Sequence, residues 1–158
     1  MNKVHNKNCL MLNLNFRNWY IFVNKLIQEE DVIEKEYQSH ITILYGINYY
    51  HSLDYIKMFL PPAKSIQCNF TKLNLFKNEE HDVLHFEIES DLLKSINSKI
   101  REKTDYESTF PDYKPHCTVA YLRHGTGDKY LQATFKPFVK FANYYTYSTT
   151  EGVVEISQ

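Results

Sequence analysis

His40-Ile41-Thr42-Ile43-Leu44-Tyr45 and His116-Cys117-Thr118-Val119-Ala120-Tyr121 share one pattern, His-x-Thr-aliphatic-x-Tyr, 76 residues apart. Both are β-branched and aromatic runs, so each reads as a buried strand. A strand sends residues i and i+2 to the same face. Each copy therefore presents an imidazole and a hydroxyl together, while Ile41, Ile43, Cys117 and Val119 face the other way. Tyr45 and Tyr121, five positions after their histidines, fall on the opposite face of a regular strand and are expected to pack in the core.

Working outward, each motif strand follows a stretch with helical spacing, Arg17 to Glu30 for the first and Asp91 to Lys103 for the second, with Asp91 as N-cap. The duplication points to two lobes meeting at the motif strands, with two imidazoles converging on one cleft. Cys9 to Leu14 reads as an opening strand, and Gly46 ends the first motif strand. Ser52 to Leu60 reads as a short helix stopped by Pro61-Pro62. Ser65 to Phe76 and Asp82 to Glu89 form a hairpin, and Val139 to Tyr147 with Gly152 to Ile156 form a closing one that turns near Thr149-Thr150-Glu151. No Pro-, Gly- or Ser-rich linker interrupts residues 1–158, so one domain is expected. Helices and strands alternate without the Gly-rich turns of a dinucleotide-binding sheet, which favours an α+β fold.

The chain has 158 residues, 43% of them hydrophobic and 23% charged, enough for a sizeable core. With 18 Lys+Arg against 19 Asp+Glu, the net charge is −1. That balance argues against a protein that grips long DNA or RNA through its phosphates, and leaves a small ligand. Three cysteines without a C-x-x-C spacing point to free thiols in a reducing compartment. The polar start, Met1 to Asn8, has no signal-peptide core, and no apolar run approaches a membrane span. A cytoplasmic protein with no membrane partner is expected.

A lone His-x-Thr in a strand is an ordinary structural pair. Two copies in matching strands suit the breaking of a phosphodiester: one imidazole takes a proton from the attacking oxygen, and the other gives one to the leaving oxygen. Imidazole titrates near pH 6.5, so both roles are open near neutrality and no metal is needed. Threonine hydroxyls can donate to the non-bridging oxygens, at about 2.7–4 kcal/mol per oxyanion-type donor. Which histidine is the base stays open at the level of sequence.

On these motifs the sequence resembles the two-histidine (2H) phosphoesterases, which include bacterial 2′-5′ RNA ligase-like proteins and cyclic phosphodiesterases. Ser39 to Gly46, Asp82-Val83-Leu84 and Phe110 to His116 further resemble the small phage-encoded members, among them anti-CBASS nucleases that degrade cyclic oligonucleotide second messengers. The resemblance spans about residues 9 to 123. It implies a bilobal, pseudo-symmetric fold with antiparallel sheets lining a central cleft and helices outside. It also implies metal-independent catalysis by His40 and His116, with phosphate contacts from Thr42 and Thr118 and no cofactor. The implied substrate is a 3′-5′-linked cyclic di- or trinucleotide, met in the host cytoplasm. The alternatives are processing of 2′,3′-cyclic phosphates or 2′-5′ linkages at RNA ends, and a non-catalytic nucleotide sponge. Base-holding contacts map to Glu151 in the last turn, with Tyr145 or Tyr147 in place of a stacking Trp.

Tyr113 and Lys114, on the loop entering the second motif strand, could meet a base and a phosphate. Arg123, Lys129 and Tyr130 could rim the cleft. Glu29-Glu30-Asp31 most simply solvates a helix end. His81 and His85, about 13 Å apart along a strand, suit a solvated turn and strand face rather than a metal site, and His5, His51 and His124 read as surface residues.

Overall fold

The computed structural model describes residues 7–108, 110–133 and 135–156. The strands are β1 (Lys7–Leu14), β2 (Val32–Lys35), β3 (His40–Asn48), β4 (Gln67–Lys77), β5 (His81–Glu89), β6 (His116–Arg123), β7 (Phe138–Thr149) and β8 (Gly152–Ile156). The helices are α1 (Trp19–Leu26), α2 (Leu53–Lys57) and α3 (Asp91–Lys103). Pairing runs β1-β3-β6-β5-β4-β7-β8, and β1 also pairs with β7, so six strands form a closed circuit. The first half of β7 holds β4 and its second half holds β1, which ties the two lobes together at the side away from the motifs.

At the other junction β3 and β6 meet through one pair, Ile41 opposite Cys117. That pair is the centre of a local pseudo-two-fold. Around it the lobes exchange edges: β2, which precedes the first motif, pairs with β6, while residues 105–107, which precede the second, pair with β3 through Asn48, Ile47 and Gly46. The exchange places Gly46 against that segment. Its φ is +89°, and a Cβ there would lie 1.9 Å from the Glu107 carbonyl oxygen, so only glycine fits. The strand does not stop at Gly46 as its sequence suggested; it bulges there and continues to Asn48.

One continuous core fills the interior of the described residues. Phe16, Trp19, Phe22, Phe70, Phe86, Phe135 and Phe138 contact one another at ring-centroid separations from 4.7 Å upward, fixing α1 on β4, β5 and β7. Leu93, Ile96, Asn97 and Ile100 are the buried face of α3. The cap of α3 is Ser90, whose hydroxyl accepts from Leu93 N, rather than Asp91. Helix α1 is shorter than its spacing suggested because the chain turns inward at residues 29–31. Asp31 is only 5% exposed, and it accepts hydrogen bonds from the Tyr130 hydroxyl and, at 2.7 Å, from Lys129. Asp31 is therefore part of an interior tie while Glu29 and Glu30 stay exposed, and Lys129 and Tyr130 serve that tie instead of the cleft.

Cys9, Cys68 and Cys117 are free, and burial raises the pKa of all three thiols. Among the described residues no helix is long and apolar enough to cross a membrane.

Candidate active site

Strand register decides what the two motifs face. With Ile41 opposite Cys117 in an antiparallel pair, His40 falls opposite Thr118 and Thr42 opposite His116. The histidines are then diagonal neighbours, with Cβ atoms roughly 7 Å apart. Ile41 and Cys117 are fully buried on the reverse face. Thr42, His116 and Thr118 line a cleft of about 880 Å³, and His40 flanks Thr42 without lining the cavity itself.

Both imidazoles are held alike. His40 Nδ1 lies 2.9 Å from the Gln38 carbonyl and His116 Nδ1 lies 2.8 Å from the Lys114 carbonyl, each two residues back along the chain. A carbonyl can only accept, so Nδ1 carries the proton in both rings and Nε2 is left for the substrate. Burial lowers the His116 pKa, and the nearby charge of His40 lowers it further against the bond to Lys114. Neither motif threonine hydroxyl bonds to another protein group among the described residues, so both can donate to a ligand.

A third histidine joins this group. His85, opposite Thr118 on β5, is only 2% exposed. It stacks on Phe76 at 3.9 Å between centroids and meets His116 edge-on at 5.2 Å, and Phe76 also meets His116 edge-on at 4.8 Å. Its Nδ1 bonds the Val83 carbonyl, and burial pulls its pKa down to about 4. The expected solvated strand face is thus a wall behind His116. His85 was missed because alternation marks it as outward-facing, and the Phe76 and His116 rings from the neighbouring strands close over it only in the folded chain.

Tyr45 and Tyr121 both line the cleft, contrary to the core role read for them. The cause is a pair of bulges. Leu10 faces Leu44 while Met11 faces Thr42, which leaves Ile43 as an extra residue; Leu84 faces Ala120 while His85 faces Thr118, which leaves Val119 as another. Each bulge sits three residues after its histidine and reverses the alternation that follows. The bulged carbonyls are taken up from outside the local ladder: Asn97 Nδ2 donates to Ile43 O at 2.7 Å, and Glu36 N donates to Val119 O at 2.9 Å. The recurrence of tyrosine at the same offset was the signal in the sequence.

Of the other expected contacts, Tyr113 and Lys114 line the cleft. The Tyr113 hydroxyl donates to the Thr42 carbonyl at 2.8 Å, so it holds the motif strand in place. Tyr147 is a correction: it is 1% exposed, accepts from Asn8 and donates to the His51 carbonyl, which leaves no face for a base. Tyr145 is likewise buried, its hydroxyl on the Pro61 carbonyl. Glu151 sits on the exposed β7–β8 turn and is not part of the cleft lining. The two tyrosines stand two apart on β7 and so share one face, the one turned to the interior. His124 is exposed, His51 accepts from Asp105 N, and His5 lies outside the described residues.

The fold so built is that of the two-histidine phosphoesterases. It is shared with Kluyveromyces marxianus Usb1, solved with uridine monophosphate, at a TM-score of 0.55 and 10% identity over 98% of this chain and 99% of that one. The MHV ns2 PDE domain matches with a TM-score of 0.52 and 15% identity over 96% and 98%. At these identities the likeness is one of fold. No family model and no curated protein matches the sequence.

Proposed function

We propose that the protein is a phosphodiesterase that hydrolyses 3′-5′ linkages of cyclic di- or trinucleotides, with His40, Thr42, His116 and Thr118 as its catalytic group. The carrying observation is the matched pair of imidazoles, each with Nδ1–H tied to a carbonyl and Nε2 left for a ligand, one on each strand of a single antiparallel pair. We assign the base to His116, whose pKa burial holds below the usual histidine value; this favours the neutral ring that accepts the proton of the attacking hydroxyl or water. As that oxygen bonds to phosphorus, the P–O bond to the leaving oxygen breaks, and His40, entering the step in its doubly protonated form, delivers the Nε2 proton there while its Nδ1–H stays on the Gln38 carbonyl. Thr42 and Thr118 donate to the non-bridging oxygens, and Lys114 at the rim adds a cation for the phosphate. No step calls for a metal, because the two rings supply both proton transfers.

The cyclic substrate is supported by the resemblance of Ser39 to Gly46 and Phe110 to His116 to phage anti-CBASS nucleases, which act in the host cytoplasm. A nucleotide ligand is also supported by the uridine monophosphate bound to Usb1, which shares the fold. A panel of cyclic di- and trinucleotides, 2′,3′-cyclic mononucleotides and 2′-5′-linked dinucleotides tests the assignment, with products read by mass spectrometry. The expected result is cleavage of the cyclic oligonucleotides, with turnover falling at least about 10²-fold in His40→Ala and in His116→Ala. Normal turnover by folded, EDTA-treated His116→Ala overturns the acid-base roles. Cleavage of terminal cyclic phosphates alone assigns the RNA-end reaction instead, and recovery of unaltered ligand assigns a sponge.

A further inference from the structure

Arg101 reaches the cleft from the last turn of α3, one turn after Asn97, and both residues line it. Two ties fix its place. Asn97 Nδ2 donates to Ile43 O, and residues 105–107 pair with Asn48, Ile47 and Gly46, so α3 carries Arg101 along the half of β3 that runs outward from the motif. Backbone alone sets the guanidinium: Nη1 donates to Pro111 O at 3.0 Å and Nη2 to Phe110 O at 3.2 Å. Its Cζ lies over the Tyr106 ring, 5.4 Å from the centroid.

Carbonyls orient a guanidinium without cancelling its charge. Among the described residues Arg101 pairs with no carboxylate, and its Nε is shut off from solvent without a hydrogen-bond partner. The other cleft cations are engaged: Lys77 is tied to Asp128 at 2.7 Å, and Lys114 adjoins the motif strand and its phosphate. Of the carboxylates there, Glu107 is met by Lys7 at 3.4 Å, and Asp112 is exposed and out of ion-pair reach of Arg101. A partly buried cation left unneutralised costs stability, which an anionic ligand offsets. Each Nη keeps one N–H beyond its carbonyl, so the group still offers two donors to the oxygens of a phosphate.

The phosphate that reacts belongs over the strand pair at Ile41 and Cys117, whereas Arg101 serves the part of the cleft beyond Ile43. We propose that Arg101 anchors a subsite for a second phosphate of the same substrate, held apart from the one that reacts. The ligand class is a nucleotide with at least two phosphates. The subsite therefore favours a cyclic dinucleotide or a 5′-phosphorylated dinucleotide over a 2′,3′-cyclic mononucleotide, whose single phosphate is taken by the histidines. This rests on the phosphodiester reading of the site and adds the residue that selects among its substrates.

Binding separates this subsite from catalysis. The probes are cyclic diadenylate with both linkages phosphorothioate, and the same ring with one linkage replaced by an uncharged methylphosphonate. Phosphorothioate-linked pApA and ApA form a linear pair that differs by the terminal phosphate. All are titrated by calorimetry at one fixed salt concentration. Charge-assisted hydrogen bonds predict that the wild type binds the doubly charged ring about 10- to 100-fold more tightly than the singly charged one. Arg101→Gln removes the charge and should remove most of that preference. Arg101→Lys keeps the charge without the forked donors and should leave a smaller preference than the wild type has. Losing the bonds to Phe110 and Pro111 weakens both rings alike, so a role confined to holding that loop leaves the ratio unchanged.

Equal wild-type affinity within both pairs, absence of binding, or a preference undiminished in Arg101→Gln overturns the subsite. A preference within the linear pair alone, lost in Arg101→Gln, upholds it and assigns it to a terminal phosphate. The phosphodiesterase reading fails separately. Turnover of cyclic diadenylate undiminished in folded His116→Ala removes the acid-base pair and leaves a charge preference standing, whereas loss of turnover without that preference removes only the subsite.

Discussion

His85 couples the site to acid. It is buried against Phe76 and His116, its Nδ1–H is spent on the Val83 carbonyl, and Glu87 on the same strand is too weak an attraction to offset burial. In the unfolded chain its pKa returns to about 6.5, against about 4 in the fold. Above pH 6.5 both states hold the ring neutral, and it contributes nothing to pH dependence. Below that the unfolded chain binds a proton that the folded chain refuses, so stability falls with pH down to about 4 and then levels off. The gap corresponds to about 3 kcal/mol, a large part of the stability of a domain this size. His85→Phe keeps an aromatic face on Phe76 and removes the titration. Urea denaturation of both proteins at pH 7, 5.5 and 4 is the assay. The wild type should lose about 3 kcal/mol more than the variant over that span. Parallel losses would show that His85 is protonated in the fold and refute the dry wall behind His116.

The pH–rate profile tests the base. Turnover at low substrate should rise through an acid limb below pH 6.5, since burial and His40 hold the His116 pKa under its usual value; a limb above pH 6.5 rejects His116 as base. Asn97→Leu leaves the Ile43 carbonyl without its donor and should cost about 1–3 kcal/mol in urea denaturation, with Tyr45 reoriented and substrate binding weakened. An unchanged midpoint would dismiss that bond. Gly46→Ala meets the Glu107 carbonyl at φ +89° and should lose at least about 1–2 kcal/mol, with faster proteolysis near residues 105–107; wild-type stability would reject the close approach. Tyr147→Phe should reduce stability through its lost bonds to Asn8 and His51 yet leave kcat/KM alone, and a changed kcat/KM would return Tyr147 to the site.

Most of the strands and the paired motifs were legible because they are local: β-branched runs bounded by turns, and a hydroxyl two residues after an imidazole. The repeat also pointed to the local pseudo-two-fold at Ile41 and Cys117, since the same pattern must solve the same packing problem twice. Alternation failed where one inserted residue changed the face of everything after it. Tyr45 and Tyr121 were read inward and turn out to floor the cleft, because the bulges at Ile43 and Val119 are set by cross-strand partners Leu10, Met11, Leu84 and His85. Tyr147 failed the other way, taken for a ligand contact when its ring is buried and its hydroxyl is spent on Asn8 and the His51 carbonyl. The sequence by itself determined the two His-x-Thr motifs and that they come as a duplicated pair. Register decided the rest: which residues share a face across two strands far apart in the chain depends on where the backbones pair, and that is settled only when the whole circuit of strands closes.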